Sequence, residues 1–201
     1  MINEKIMTRA LHEISAELPN HKALFHPHVG DNYGLLMLIR KEHKVVSEGD
    51  VFVYKKKGYV SDDDAGNHAR NIQYATVTLN NRPVTVINFH GLWNGKGKTD
   101  TEDRVRQSKN ILAFTKKLKG EYVLCGDFNL LPDTESITLF EAEGLRNLIK
   151  ENKVTSTRTS LYAKPEKYAD YVFVTKGIQV KKFTVLPDEV SDHAPLLIEV
   201  E

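Results

Sequence analysis

Four polar clusters in this 201-residue chain hold the residue types that move protons and grip hard ions: Asn88 with His90, Asp127 with Asn129, Asp170, and Asp192 with His193. Carboxylates suit a hard divalent cation, amides bond phosphate oxygens, and imidazoles titrating near about pH 6.5 exchange protons at neutral pH. A single strand-end Asp is usually a turn former and a single His usually a satisfied structural group. Taken as a set, they are the parts that phosphate-ester hydrolysis requires.

The elements that must position these residues can be read from periodicity. Ile2, Ile6, Ala10, Leu11, Ile14 and Leu18 recur at helical spacing before Pro19, predicting an opening amphipathic helix. Ala23 to Phe25, Tyr33 to Arg40 and Val51 to Tyr54 read as strands. Ile72 to Leu79 and Pro83 to Phe89, joined by Asn80-Asn81, predict a hairpin whose second strand delivers His90. A helix is expected over Thr99 to Lys119, with Thr99 and Glu102 as a capping box. The strand Tyr122 to Cys125 follows, then a helix from Glu135 to Ala142 that Gly144 stops. Tyr171 to Val174, Val180 to Leu186 and Leu196 to Val200 make the last third mainly β. All four polar clusters fall where β-runs end, and strand ends along one edge of a layered fold share a pocket. With no repeat or linker in between, residues 1–201 form a single α/β domain.

The spellings Asn88-Phe89-His90, Gly126-Asp127-Phe128-Asn129, Asp170-Tyr171-Val172-Phe173 and Ser191-Asp192-His193, in that order, resemble the endonuclease/exonuclease/phosphatase superfamily, whose members resemble deoxyribonuclease I. The resemblance runs from about residue 30 to 200, and four ordered motifs are far more specific than one. It implies a four-layer α/β sandwich with two packed mixed β-sheets flanked by helices, and Mg²⁺- or Mn²⁺-dependent cleavage of a phosphate ester, in a nucleic acid or a smaller molecule. By the same resemblance His193 is the general base with Asp170 orienting its ring, and Asp192 binds metal. Asp127 and Asn129 position the nucleophile or an ion and bond a phosphate oxygen, His90 stabilises the transition-state charge or aids the leaving group, and Asn88 lines the strand end.

Members of that family open with a strand carrying an Asn and a second strand ending in a Gln-Glu pair whose glutamate is a principal metal ligand; this chain displays neither. The expectation is therefore that Met1 is an internal methionine of a longer protein. Asp127, Asn129 and Asp192 would then hold the ion weakly, and sheet edges bared by the missing strands would invite a strand-swapped oligomer. A competing expectation is a catalytically silent module that binds phosphate or nucleic acid.

Other motifs carry less. The segment His90 to Thr99 sits where a phosphate-binding loop would, but Gly91 and Gly97-Lys98-Thr99 are one residue too far apart and acidic residues crowd the helix start. Within it Trp93 could stack on a base, sugar or apolar headgroup, and Lys98 could screen phosphate. Arg70 and Arg158 are candidate phosphate grips, Arg158 the better of the two. The triplet Asp62 to Asp64 reads as a solvated run, His26 and His28 as structural or exposed, and Asp133 as a residue that caps or braces the turn after the strand.

Composition excludes several classes. The 28 basic and 27 acidic side chains leave a net charge of +1, so no polyelectrolyte tail is present. Eight Lys or Arg between Gly91 and Gly120, against three acidic residues, permit an anionic substrate without demanding a nucleic-acid groove. No apolar run is long enough to span a bilayer and no export signal is legible. Cys125 is the single cysteine, set in an apolar run, which points to a reducing, cytoplasmic setting.

Overall fold

The structure, a computed structural model, describes residues 10–62 and 66–201. Helix α1 spans Ala10–Glu17 and is followed by β1 (His21–Val29), β2 (Tyr33–Arg40), β3 (Val45–Tyr54), β4 (Arg70–Leu79) and β5 (Arg82–His90). Then come α2 (Glu102–Thr115), β6 (Glu121–Asp127), α3 (Glu135–Ala142), β7 (Arg146–Asn147), α4 (Leu148–Glu151), β8 (Asp170–Val174), β9 (Val180–Val185) and β10 (Leu196–Val200). Six strands form one mixed sheet in the order β3-β4-β5-β6-β8-β7, with only β5 and β6 parallel. That single parallel step needs a crossover, and α2 provides it.

Alternation along the strands sorts the two faces of this sheet. Ile72, Ile87, Phe89, Leu124, Tyr171 and Phe173 turn to a core shared with Ile111 and Leu112 of α2 and Ile137 and Phe140 of α3. The opposite face carries two antiparallel hairpins. β1-β2 packs Leu24 and Ile39 on Ala75 and Val77, and β9-β10 packs Phe183, Leu196 and Ile198 on Val84, Val123, Val172 and Val174. With α1 outside β1, the expected four-layer α/β sandwich stands, its second sheet layer made of two hairpins among the described residues.

Several boundaries differ from the sequence reading. The expected capping box fails: α2 begins at Glu102 and is capped by the Thr101 hydroxyl, which accepts from the Arg104 N–H, while the Thr99 hydroxyl donates to the Lys96 carbonyl. β1 and β3 run longer than their apolar runs because antiparallel pairing extends them through polar residues such as His26 and Glu48. The opening helix is described only from Ala10, and its Ile14 and Leu18 stand more than a third exposed, so the apolar stripe is not a core face there. Asp133 does not cap α3. Asp100 does so from the preceding loop, accepting the backbone N–H groups of Glu135 and Ser136 at 2.6 and 3.0 Å. Asp63 and Asp64 lie outside the described residues.

Candidate active site

His90, Asp127 and Asp170 stand directly opposite one another across β5, β6 and β8. Each lies at the end of its strand, so three residues far apart in sequence form one row at the sheet's edge. The row requires close backbone approach just beyond it. A Cβ on Gly126, whose φ is +138°, would meet the Phe89 carbonyl oxygen at 1.9 Å, and one on Gly91 would meet that of Phe128 at 2.3 Å. Both positions therefore need glycine. Phe128, 1% exposed, plugs into the rings of Phe89, Phe140, Tyr171 and Phe173 and anchors the neighbouring Asp127 and Asn129. Asn129 turns the chain with φ +55°, a left-handed conformation Asn tolerates, and its backbone N–H donates to Asp127 Oδ1 at 2.8 Å.

His193 arrives on the loop between β9 and β10. It pairs with Arg158 in an isolated antiparallel bridge. Beneath that bridge the buried Thr157 hydroxyl accepts the backbone N–H groups of Ala169 and Asp170, and the Thr157 carbonyl accepts that of Ala194. One residue thus ties the loop to the row. The His193 Nδ1 lies 2.9 and 2.8 Å from the two Asp170 carboxylate oxygens. An ionised carboxylate only accepts, so Nδ1 carries a proton, and in the neutral ring Nε2 presents a lone pair. That Nε2 faces Asp127 Oδ2 at 3.7 Å and Asp192 Oδ2 at 3.9 Å.

The electrostatics separate the two imidazoles. The hydrogen bond from Asp170 raises the His193 pKa above the usual value, against the opposing effect of burial. Burial, reinforced by the Arg70 guanidinium, pushes His90 down to about 3. His90 is therefore neutral at pH 7 and offers a hydrogen bond, not a full positive charge. Burial and the neighbouring Asp170 raise the Asp127 carboxyl.

Of the residues assigned to substrate, Lys98 and Arg158 come to the site. Arg158 bonds Asp192 Oδ2 at 2.9 Å and lies 4.0 Å from the Tyr162 ring centre, with Lys98 Nζ 5.8 Å from the same ring. Trp93 is half-buried on the adjoining loop, with the Arg104 guanidinium and the Lys164 ammonium over its ring. Asn88 is spent elsewhere: its amide donates to the Leu36 carbonyl and to Gln73 Oε1 in the layer beneath β1-β2. His26 and His28 are structural there as expected, bonded to Gln73 and Asn71.

Three residues escaped the sequence reading. Arg104, 1% exposed, donates to the carbonyls of Leu92, Gly97 and Thr99, and Gln107 accepts the Leu92 N–H. Together they fix the loop carrying Lys98, and two polar residues three apart on the buried face of α2 were the available signal. Thr157 was hidden in a run of hydroxyl residues.

The site's oxygen donors are the kind Mg²⁺ or Mn²⁺ prefers. Asp127 and Asp192 both flank His193 Nε2, and Asn129 spends its amide N–H on the Gly91 carbonyl at 3.3 Å, leaving its amide oxygen as a donor. Among the described residues no group of three or more His, Cys, Asp or Glu gathers at ligating distance. The donor set thus fits a hard cation that keeps several waters.

A family model described as the Endonuclease/Exonuclease/phosphatase family matches residues 11–193. No curated protein matches the chain. Among solved structures, the mannosyl-6-phosphatase of Bacteroides thetaiotaomicron VPI-5482 is similar at 19% identity and TM-score 0.76, over 95% of this chain and 80% of that one. A functionally unknown conserved protein from Enterococcus faecalis V583 has 23% identity and TM-score 0.70, over 90% and 77%. D. rerio TDP2 complexed with a single-strand DNA product has 14% identity and TM-score 0.71, over 96% and 82%. At these identities the likeness is one of fold.

Proposed function

The chain belongs to the endonuclease/exonuclease/phosphatase family, and from that membership we propose a divalent-metal-dependent phosphoesterase that hydrolyses its substrate by in-line attack of water. The observation that carries this reading is the His193 ring clamped by Asp170 at the end of the His90-Asp127-Asp170 row. His193 Nε2 takes the proton of the attacking water, and Asp170 stabilises the imidazolium that results. The second N–H of the Asn129 amide and the neutral His90 donate to phosphoryl oxygens where negative charge grows. Asp127, Asp192 and the Asn129 amide oxygen are the groups that would hold Mg²⁺ or Mn²⁺, which when bound neutralises charge on the phosphate and the leaving oxygen. Lys98, Arg158 and the rim residue Trp93 contact the substrate.

An assembled base and orienting carboxylate favour the enzyme over a silent binding module. The single Cys125 supports a reducing, cytoplasmic setting: its thiol donates to the Ile87 carbonyl, and burial pushes its pKa up to about 11. No helix among the described residues is long and apolar enough to cross a membrane. The test is hydrolysis of chromogenic phosphate esters with Mg²⁺, with Mn²⁺ and with a chelator. Turnover abolished by the chelator and restored by either ion is expected; turnover indifferent to the chelator contradicts the proposal.

A further inference from the structure

Three cations around the row are buried with donors that bond nothing. Lys98 is 3% exposed and its Nζ has no partner; Arg70 is 2% exposed and its Nε and Nη1 have none. The Arg158 side chain is 5% exposed, with Nη1 on Asp192 and Nε unpartnered. Arg158 is paired with Asp192 and Arg70 Nη2 donates to the Gly66 carbonyl, yet burying the remaining donors of these cations without partners costs free energy, so a fold that does this around one site is arranged for an anion.

The three approach from both ends of the row. Arg70 opens β4 beside the end of β5 that carries His90, and its charge bears on that ring. Lys98 feels Asp127 and Asp170, while Arg158 bears on His193 and shares the Tyr162 ring with Lys98. Two of the four nearby carboxylates are already committed, Asp170 to His193 and Asp192 to Arg158, while Asp127 and Glu166 bear on Lys98 without bonding its Nζ.

From this placement we infer that the substrate is a phosphomonoester, whose terminal dianionic phosphate is gripped by Lys98 and Arg158 on one flank and Arg70 on the other. This rests on the phosphoesterase reading and narrows it. A terminal phosphate has three unesterified oxygens and two negative charges, enough to meet all three cations. A diester has two such oxygens and one charge, and leaves the free donors of one of them unmet.

The test separates binding from chemistry. Calorimetric titration of the full chain with inorganic phosphate and with dimethyl phosphate at pH 8 is expected to show phosphate binding at least about tenfold tighter, and Lys98→Met to abolish that preference. The same variant should melt at a higher temperature than the parent, because a methionine of similar shape replaces an unpaired buried ammonium. Arg70→Met repeats the experiment at the opposite flank. In turnover, p-nitrophenyl phosphate should exceed bis(p-nitrophenyl) phosphate in kcat/KM by about 100-fold or more. Equal affinity for the two anions, or preferred cleavage of the diester, overturns the monoester inference, and His193-dependent diester cleavage would do so while leaving the phosphoesterase standing. Selective phosphate binding without any turnover supports the terminal-phosphate site and overturns the hydrolase.

Discussion

At the scale of single residues, His193 owes its chemistry to Asp170. The carboxylate fixes which nitrogen carries the proton and compensates the charge that forms during proton transfer. Asp170→Asn keeps the shape but accepts less well and can present the wrong group to Nδ1. Its kcat should fall about 100-fold with little change in KM or melting temperature; a kcat within a factor of about two of the parent would remove Asp170 from the mechanism. His28 shows a different use of burial. Enclosed beneath Tyr33 and stacked on His68, it is held down to about 4 from 6.5 by desolvation. As pH falls below 6.5 the unfolded chain takes up a proton that the folded one refuses, so stability declines through the window from 6.5 to about 4 and then levels. This group alone should account for roughly 3 kcal/mol across that window. Denaturant melts from pH 7 to 4.5 check this: His28→Gln, which retains a donor for Asn71 Oδ1, should show a shallower acid decline.

At the scale of elements, the site depends on how β5, β6 and β8 are registered and on how the loop after β5 is braced. Arg104 satisfies three carbonyls of that loop from inside α2. Arg104→Met would strand them and should cost about 2–4 kcal/mol, with proteolysis appearing first between Gly91 and Thr101. An unchanged melting temperature would show that the loop holds itself. This dependence also explains what the sequence displayed and what it hid. The hairpin at Asn80-Asn81 was legible because both residues adopt the positive φ that such a turn requires, 48° and 62°. Asp192 and His193 sit on the loop between β9 and β10, whereas His90, Asp127 and Asp170 were legible because they end strands. The length of β1 and β3, the cap at Thr101 and the brace from Arg104 were not, since each is decided by a partner strand or loop distant in sequence. Nor did the sequence show that the Asn88 amide, two residues before His90, donates to Gln73, its cross-strand partner.

For the whole molecule, near-neutral net charge and deep cations imply short-range recognition. Exposed charges are screened over about 8 Å at physiological salt, but buried ones much less. Raising NaCl from about 50 to 300 mM should therefore lower kcat/KM on a small phosphate ester by less than about threefold. A steep decline would instead indicate long-range steering by the basic segment Gly91 to Gly120. The layering was foreseeable from strand and helix alternation, yet the division of the second layer into two hairpins was not, because periodicity says which face a residue takes and not which strand it joins.

The most direct measurement is the rate of phosphate-ester hydrolysis in saturating Mg²⁺ by this chain beside its His193→Ala variant, with melting curves for both. Metal-dependent turnover that falls by about 100-fold or more in a variant melting at the parent's temperature is the predicted result. Undiminished, metal-dependent turnover in a folded His193→Ala protein would contradict the assignment of the base and, with it, the reading of the whole row.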